Sequence, residues 1–229
     1  MLDLTAARNR MVDEQIARRG VRDRLLLDAM RLVPREVFVE AGRAELAYED
    51  GPLPIGEGQT ISQPFVVALM IEAAEVKAGE RVLEVGAGSG YAAAVLSRIA
   101  GHVHAIERRA ALAKVAGENL RKLGYDNIEL RVGDGTKGWP EAAPFDAILV
   151  AAGAPSVPQA LKAQLAVGGR MVIPVGNAHR EQTLLKIVRR SETDYDEEDL
   201  GPVMFVPLIG EQGWSEDGRG TSRRKWRWS

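Results

Sequence analysis

Val82-Leu83-Glu84-Val85-Gly86-Ala87-Gly88-Ser89-Gly90-Tyr91 is the stretch whose reading decides the fold. Four mostly apolar residues make a short buried strand, alternating glycines make a turn, and Ala92, Val95, Leu96 and Ile99 recur at helical spacing. Glycine is required because such a turn needs positive φ, and because a Cβ would hold the backbone away from a ligand. The N–H groups at the start of the following helix would face that ligand.

The dinucleotide fingerprint wants its third glycine where Tyr91 stands. The spacing therefore argues against a pyrophosphate and suits a sugar carrying an amino-acid tail. A carboxylate that accepts from ribose hydroxyls is expected at the end of the next strand. Glu107 is there, closing His102-Val103-His104-Ala105-Ile106. One strand later, residues 128–132 lead into Gly133-Asp134-Gly135, which would set a carboxylate beside an adenine amino group. Singly, these features read as a tight connection, a charge at a helix start and a turn former. Three successive strands ending in ligand-type residues are more specific. The pattern resembles the class I S-adenosylmethionine-dependent methyltransferases, in which Glu84, Gly86, Gly88, Glu107 and Asp134 would line the cofactor pocket.

The rest of the chain fits an α/β, doubly wound Rossmann-like methyltransferase sheet of about seven strands with an N-terminal helical extension. In residues 1–50, Val12 and Ile16 share a face, and Val21, Leu25, Ala29 and Leu32 are spaced to form a second helical stripe that Pro34 ends. Arg18-Arg19-Gly20 reads as a helix end. Residues 51–63 are rich in turn formers and have no helical period, the composition of a substrate loop. Pro64 opens a helix with Val67, Met70, Ile71 and Ala74 in one stripe. Residues 147–150 are the fourth strand, Leu161 and Leu165 belong to a helix, Gly168-Gly169 turns the chain, and residues 170–175 are the fifth strand. Residues 183–188 and 203–208 are the last two, joined by a solvated acidic loop from Glu192 to Asp199. We expect one domain over residues 1–214, with 64–214 as the cofactor-binding core, and a flexible basic tail at 215–229.

Composition bounds the function. Of 229 residues 45% are apolar and 27% charged, as in ordinary globular proteins. A net charge of −2 gives no general attraction to nucleic acid. The absence of cysteine removes disulfides, thiolate metal sites and cysteine nucleophiles. The apolar run at residues 65–71 is far too short for a bilayer and nothing resembles a signal peptide, so a cytoplasmic protein is expected. His102 and His104 point the same way from one strand, yet the sequence places no third metal ligand, and no metal is expected.

The fourth strand ends in Ala151-Ala152-Gly153-Ala154-Pro155, which lacks the Asn/Asp-Pro-Pro-aromatic element that methylation of a base amine needs. No side chain there suits proton removal. That fits an acceptor already ionised, such as a carboxylate of pKa near ~4.

Gly58-Gln59-Thr60-Ile61-Ser62-Gln63-Pro64, with Val33-Pro34-Arg35-Glu36 and Val206-Pro207-Leu208, resembles the protein-L-isoaspartate O-methyltransferase family over about residues 10–214. The resemblance implies methyl transfer to the free α-carboxylate of L-isoaspartyl residues in damaged proteins, leaving S-adenosylhomocysteine. It implies Ser62 as the catalytic residue, although position alone makes that serine a helix cap. It also implies Gln59, Thr60, Gly90 and Gly135 as further cofactor contacts, and Ile61, Ala152, Val206 and Leu208 beside Ser62 as substrate contacts. A monomer acting on isoaspartyl proteins, without nucleic acid or membrane, is expected. Two rivals remain open: an RNA methyltransferase using the basic tail, and a cofactor-binding module without turnover.

Overall fold

The computed structural model describes residues 3–178 and 181–216. His179 and most of the basic tail lie outside them.

Five parallel strands form the centre: β3 (Arg81–Val85), β4 (His102–Glu107), β5 (Ile128–Val132), β6 (Phe145–Val150) and β7 (Leu165–Gly176). β8 (Gln182–Arg189) and β9 (Tyr195–Val203) add to β7 antiparallel, giving the order β5-β4-β3-β6-β7-β8-β9. β3 and β6, flanked on both sides, are buried almost throughout and read as mostly apolar runs, whereas β5 is an edge strand and alternates apolar with charged residues. The reversal lies between β3 and β6, so the carboxyl ends of β3, β4 and β6 surround the crevice where α/β sheets bind ligands.

Side-chain alternation splits the core in two. Val82, Val103, Ala105 and Leu149 face one cluster, shared with α3 (Pro64–Ala73), α4 (Tyr91–Ser97), α5 (Ala110–Lys122) and the N-terminal helices. Leu83, Val85, Ile106 and Ile148 face the other, under Trp139 and Leu161 of α6 (Gln159–Ala163). Arg170 of β7 ties the chain after α3 to the sheet: it donates to Ala74 O at 2.8 Å, to Asp146 O at 3.0 Å and to the Glu80 carboxylate at 2.8 Å.

The N-terminal part consists of α1 (Leu4–Arg10), a π-helical stretch (Met11–Ile16), a 3-10 turn (Ala17–Arg19) that ends at Gly20 with φ 108°, and α2 (Arg24–Leu32). Val12, Ile16, Val21 and Ala29 are buried as expected. Leu25 and Leu32 are not, at 57% and 60% exposed; the buried face is Leu26, Ala29, Met30 and Val33, an equally good helical spacing one residue round.

Three further expectations are corrected. Leu165 opens β7 rather than closing a helix, and Gly168-Gly169 lies inside that strand at an irregularity of the β6–β7 register, with Gly168 at φ +82°. β9 is Tyr195–Val203, so Asp196, Glu197, Glu198 and Asp199 lie on an edge strand, where charge opposes pairing with another sheet. Residues 204–208 are not a sheet strand: they run extended beside Gly153, whose N–H donates to Val206 O and whose carbonyl accepts from Leu208 N, both at 2.8 Å.

Residues 51–63 contain a small hairpin, β1 (Leu53–Gly56) and β2 (Gln59–Ile61), turned by Glu57 and Gly58 with positive φ.

Candidate active site

The glycine turn is tied down by its neighbouring strand. Gly86 and Ala87 both donate to Ile106 O, at 2.8 and 3.1 Å, and Gly88 N donates to Glu107 Oε2 at 2.8 Å. Arg109 N donates to the other oxygen, Oε1, at 2.8 Å. Glu107 is thereby fixed in orientation, and each of its oxygens keeps capacity for another donor, as a pair of vicinal hydroxyls requires. Gly86 and Gly88 have φ of +88° and +56°, conformations that Cβ-bearing residues rarely adopt. Gly135 is needed for space, since a Cβ there would stand 2.4 Å from Val85 Cγ1.

Two adjoining cavities flank this turn and share Thr60, Gly86, Gly88 and Ala151. The larger, about 470 Å³, holds Gln59, Glu107, Gly135, Ala152, Val206 and Leu208. That volume lies within the range of small-molecule sites. The smaller brings Ser62 and Ile61 together with Glu84. Of the expected residues, two fall elsewhere. Gly90 caps α4 and approaches Ala116 and Leu120, so it serves helix packing. Asp134 lines a neighbouring cleft that adjoins the larger cavity through Arg108 and Arg109; its Oδ1 accepts from Thr136 N and Oγ1, at 2.9 and 2.7 Å, and its Oδ2 from Glu211 N at 2.8 Å.

Glu84 is 2% exposed and its Oε2 has no hydrogen-bond partner among the described residues. Burial, and then the charge of Glu107, push its carboxyl up to about 8. A buried orphaned acid beside a glycine turn fits a ligand bearing an ammonium group, which would satisfy the free oxygen and favour its ionised form.

Ser62 stands apart from the helix cap. The N-cap of α3 is Gln63, with φ −48° and ψ 135°, and no side chain caps this helix. The Ser62 hydroxyl makes no hydrogen bond to the described residues, so it is free to meet an incoming acceptor. Around it Ile55, Val67, Met70, Ile71 and Leu149 form an apolar wall. Glu84 and Tyr91 are the titratable groups of that cavity, and burial pushes the Tyr91 hydroxyl up to about 12.

Sequence reasoning missed the rim. Arg109 Nη1 pairs with Glu57 Oε2 at 3.4 Å, joining the hairpin tip to the strand that carries Glu107. Arg108 pairs with Glu216 from the far end of the chain. Trp214 Nε1 donates to Gly153 O at 2.9 Å and helps hold the 206–208 segment in place. The only sequence signal of Glu57, Arg108, Arg109 and Glu216 is charge, which gives no partner.

Comparison with known proteins matches this geometry. A family model described as "Protein-L-isoaspartate(D-aspartate) O-methyltransferase (PCMT)" covers residues 6–213. Protein-L-isoaspartate O-methyltransferase 1 of Rhodopseudomonas palustris (strain HaA2) is 59% identical over 210 residues, 92% of this chain and 86% of that protein. The protein-L-isoaspartate O-methyltransferase of Methylorubrum populi is 61% identical over 204 residues, 89% of this chain and 95% of that one. Among solved structures, a protein-L-isoaspartate O-methyltransferase superimposes with TM-score 0.82 at 31% identity, covering 90% of this chain and 67% of that one. A candidate protein-L-isoaspartate O-methyltransferase from Plasmodium falciparum, in complex with S-adenosyl-L-homocysteine, gives TM-score 0.77 at 27% identity over 88% of this chain and 98% of that one. The glycine turn, the carboxylates at the strand ends and these likenesses lead to one placement: the chain belongs to the protein-L-isoaspartate(D-aspartate) O-methyltransferase family.

Proposed function

We infer that this chain repairs damaged proteins by transferring a methyl group from S-adenosylmethionine to the free α-carboxylate of L-isoaspartyl residues, releasing a methyl ester and S-adenosylhomocysteine. The observation that carries the assignment of roles is the unbonded Ser62 hydroxyl in one cavity with the glycine turn and Glu84.

When bound, the cofactor supplies a methyl carbon made electrophilic by its sulfonium. The chain's own residues do the rest. Glu107 accepts from the ribose hydroxyls while the N–H groups of Gly88 and Arg109 hold its carboxylate in place. Glu84 takes the ammonium end. Gln59, Thr60, Gly86 and Gly135 complete the cofactor wall. Asp134 acts from behind, shaping the loop before Gly135 and binding the C-terminal segment through Glu211 N.

The acceptor carboxylate is an anion at neutral pH, so its oxygen needs no base. Ser62 donates to one of its oxygens and aims the other. The apolar wall around Ser62 would exclude water from the acceptor carboxylate, and fixing the acceptor beside the bound cofactor would convert a bimolecular encounter into an intramolecular one. Strong donation would stabilise the ground-state anion, which is why a single hydroxyl serves better than a cation. The extended 206–208 segment, Ala152 and Ile61 offer backbone and apolar contacts to the peptide, consistent with tolerance of varied flanking side chains. We place the enzyme in the cytoplasm as a monomeric single domain over residues 1–214, acting on protein rather than nucleic acid. No described helix is long and apolar enough to cross a membrane.

The test is to offer an isoaspartyl peptide and its aspartyl twin with labelled cofactor. Label in the isoaspartyl peptide alone is expected; equal labelling would overturn the assignment of substrate.

A further inference from the structure

β4 carries two chemistries on opposite faces. Glu107 faces the cofactor side with Val103 and Ala105, whereas His102 and His104 face the other side, at the amino end of the strand. The third donor that the sequence could not supply comes from β5. Register pairs His104 with Glu129, and the ligand atoms of His102, His104 and Glu129 all lie within 4.8 Å of one another.

The site is half built. His104 is 6% exposed and its ring is gripped edge-on by Trp139 at 5.1 Å and Phe145 at 5.5 Å. Neither of its ring nitrogens has a hydrogen-bond partner among the described residues: Nδ1 is buried and orphaned, and Nε2 faces Glu129 Oε2 at 3.8 Å, beyond hydrogen-bond reach. An unpartnered ring nitrogen next to a carboxylate is an open metal ligand. His102 stacks at 4.6 Å from it, centroid to centroid.

We propose that His102, His104 and Glu129 form a surface site for one divalent first-row transition metal, with the remaining position open to water. Ligand bonds of ~2.0–2.2 Å set tetrahedral donors ~3.3–3.6 Å apart. Closing the observed separations to that spacing falls to the half-buried His102 and the exposed Glu129, while His104 stays fixed. Two imidazoles and one carboxylate select zinc, cobalt, nickel or copper over magnesium or calcium. The flanking cations are Arg81 and Arg131, and each is engaged elsewhere: Arg81 with Ala142 O at 3.1 Å, Arg131 with Gly138 O at 2.7 Å and over the Trp139 ring at 4.0 Å. They weaken the site without filling it. The metal is no part of methyl transfer, because the site opens on the sheet face opposite Glu107; this inference is independent of the function proposed above. Bound metal instead clamps β4 to β5 and stabilises the folded chain.

The test titrates the full chain with Co²⁺, following its visible absorption, and with Zn²⁺ and Mg²⁺ by calorimetry. One equivalent of Co²⁺ or Zn²⁺ and no Mg²⁺ is expected to bind, with a raised Tm. His102→Asn and Glu129→Gln, both on accessible side chains, should each weaken Zn²⁺ at least as much as the ~10–100-fold loss seen when only an outer partner of a metal ligand is removed. His179→Ala should bind like the parent, and a chelator should leave peptide methylation unchanged. Undiminished Co²⁺ binding in the His102→Asn/Glu129→Gln double variant, or no saturable binding in the parent, would overturn the site.

Discussion

The halves of the site that we assign to cofactor and to acceptor are built differently. Around the glycine turn the backbone is tied down: Gly86 and Ala87 donate to Ile106 O, and Gly88 and Arg109 to Glu107. Two buried side-chain atoms there are unpartnered among the described residues, Glu84 Oε2 and the Tyr91 hydroxyl. The acceptor half consists of the β1–β2 hairpin, Ser62 with its unused hydroxyl, and the 206–208 segment brought from the far end of the chain onto Gly153. A cofactor of constant shape can be met by a rigid site. A peptide of variable sequence is better met by an apolar wall and one unbonded hydroxyl than by a closed set of polar contacts.

If this contrast is sound, the largest loss comes from the locked half. Glu107→Ala removes the proposed ribose acceptor and leaves the N–H groups of Gly88 and Arg109 without their carboxylate. At ~1.5–3 kcal/mol for each hydrogen bond to a charged group, cofactor affinity should fall by ~10²–10⁴-fold in calorimetry. An unchanged Kd would break the comparison.

Glu84 comes next, and its effect shows in the absence of cofactor. Its folded pKa of about 8 lies above the ordinary carboxylate value, so the folded state holds the extra proton. Stability therefore falls as pH rises from ~4.3 towards about 8 and is flat above, at up to ~1.4 kcal/mol per unit within the window. Glu84→Gln should remove this slope in urea titrations at several pH values, and should weaken cofactor binding more than it slows transfer. Lost turnover with intact cofactor affinity would instead make Glu84 a base and end the account of an acceptor that arrives ionised.

In the open half the effect is smaller and separable. Ser62→Ala should lower kcat/KM for an isoaspartyl peptide by ~10-fold, the worth of one hydrogen bond to a charged group, with cofactor Kd unchanged. Full turnover would remove the role given to that hydroxyl. Least affected is the rim. Breaking the exposed Glu57–Arg109 pair by Glu57→Gln should cost no more than ~1 kcal/mol in cofactor binding, and the difference should vanish at high salt.

What the amino-acid sequence determined by itself follows the same division. Each βα unit is local: an apolar run, a turn and a helical stripe lie within a few tens of residues. The strand, its glycines and the acids Glu84 and Glu107 were therefore legible in order. The turn-rich composition of residues 51–63 marked them as non-helical, and Ile55, Gln59, Thr60, Ile61 and Ser62 line the two cavities. Only the tertiary structure decided matters of register and of partners distant in sequence. Two helical spacings in α2 were equally apolar, and packing chose Leu26 and Met30 over Leu25 and Leu32. The acidic run at residues 196–199 looked like a loop because it has no alternation, yet it pairs with β8, whose partner residues no local pattern names. Ser62 looked like a cap until Gln63 took that place, since a shift of one residue at a helix start is invisible without the backbone angles. His104 met Glu129 for the same reason: hydrophobic periodicity says which way a side chain points, but only the pairing of strands says what stands opposite.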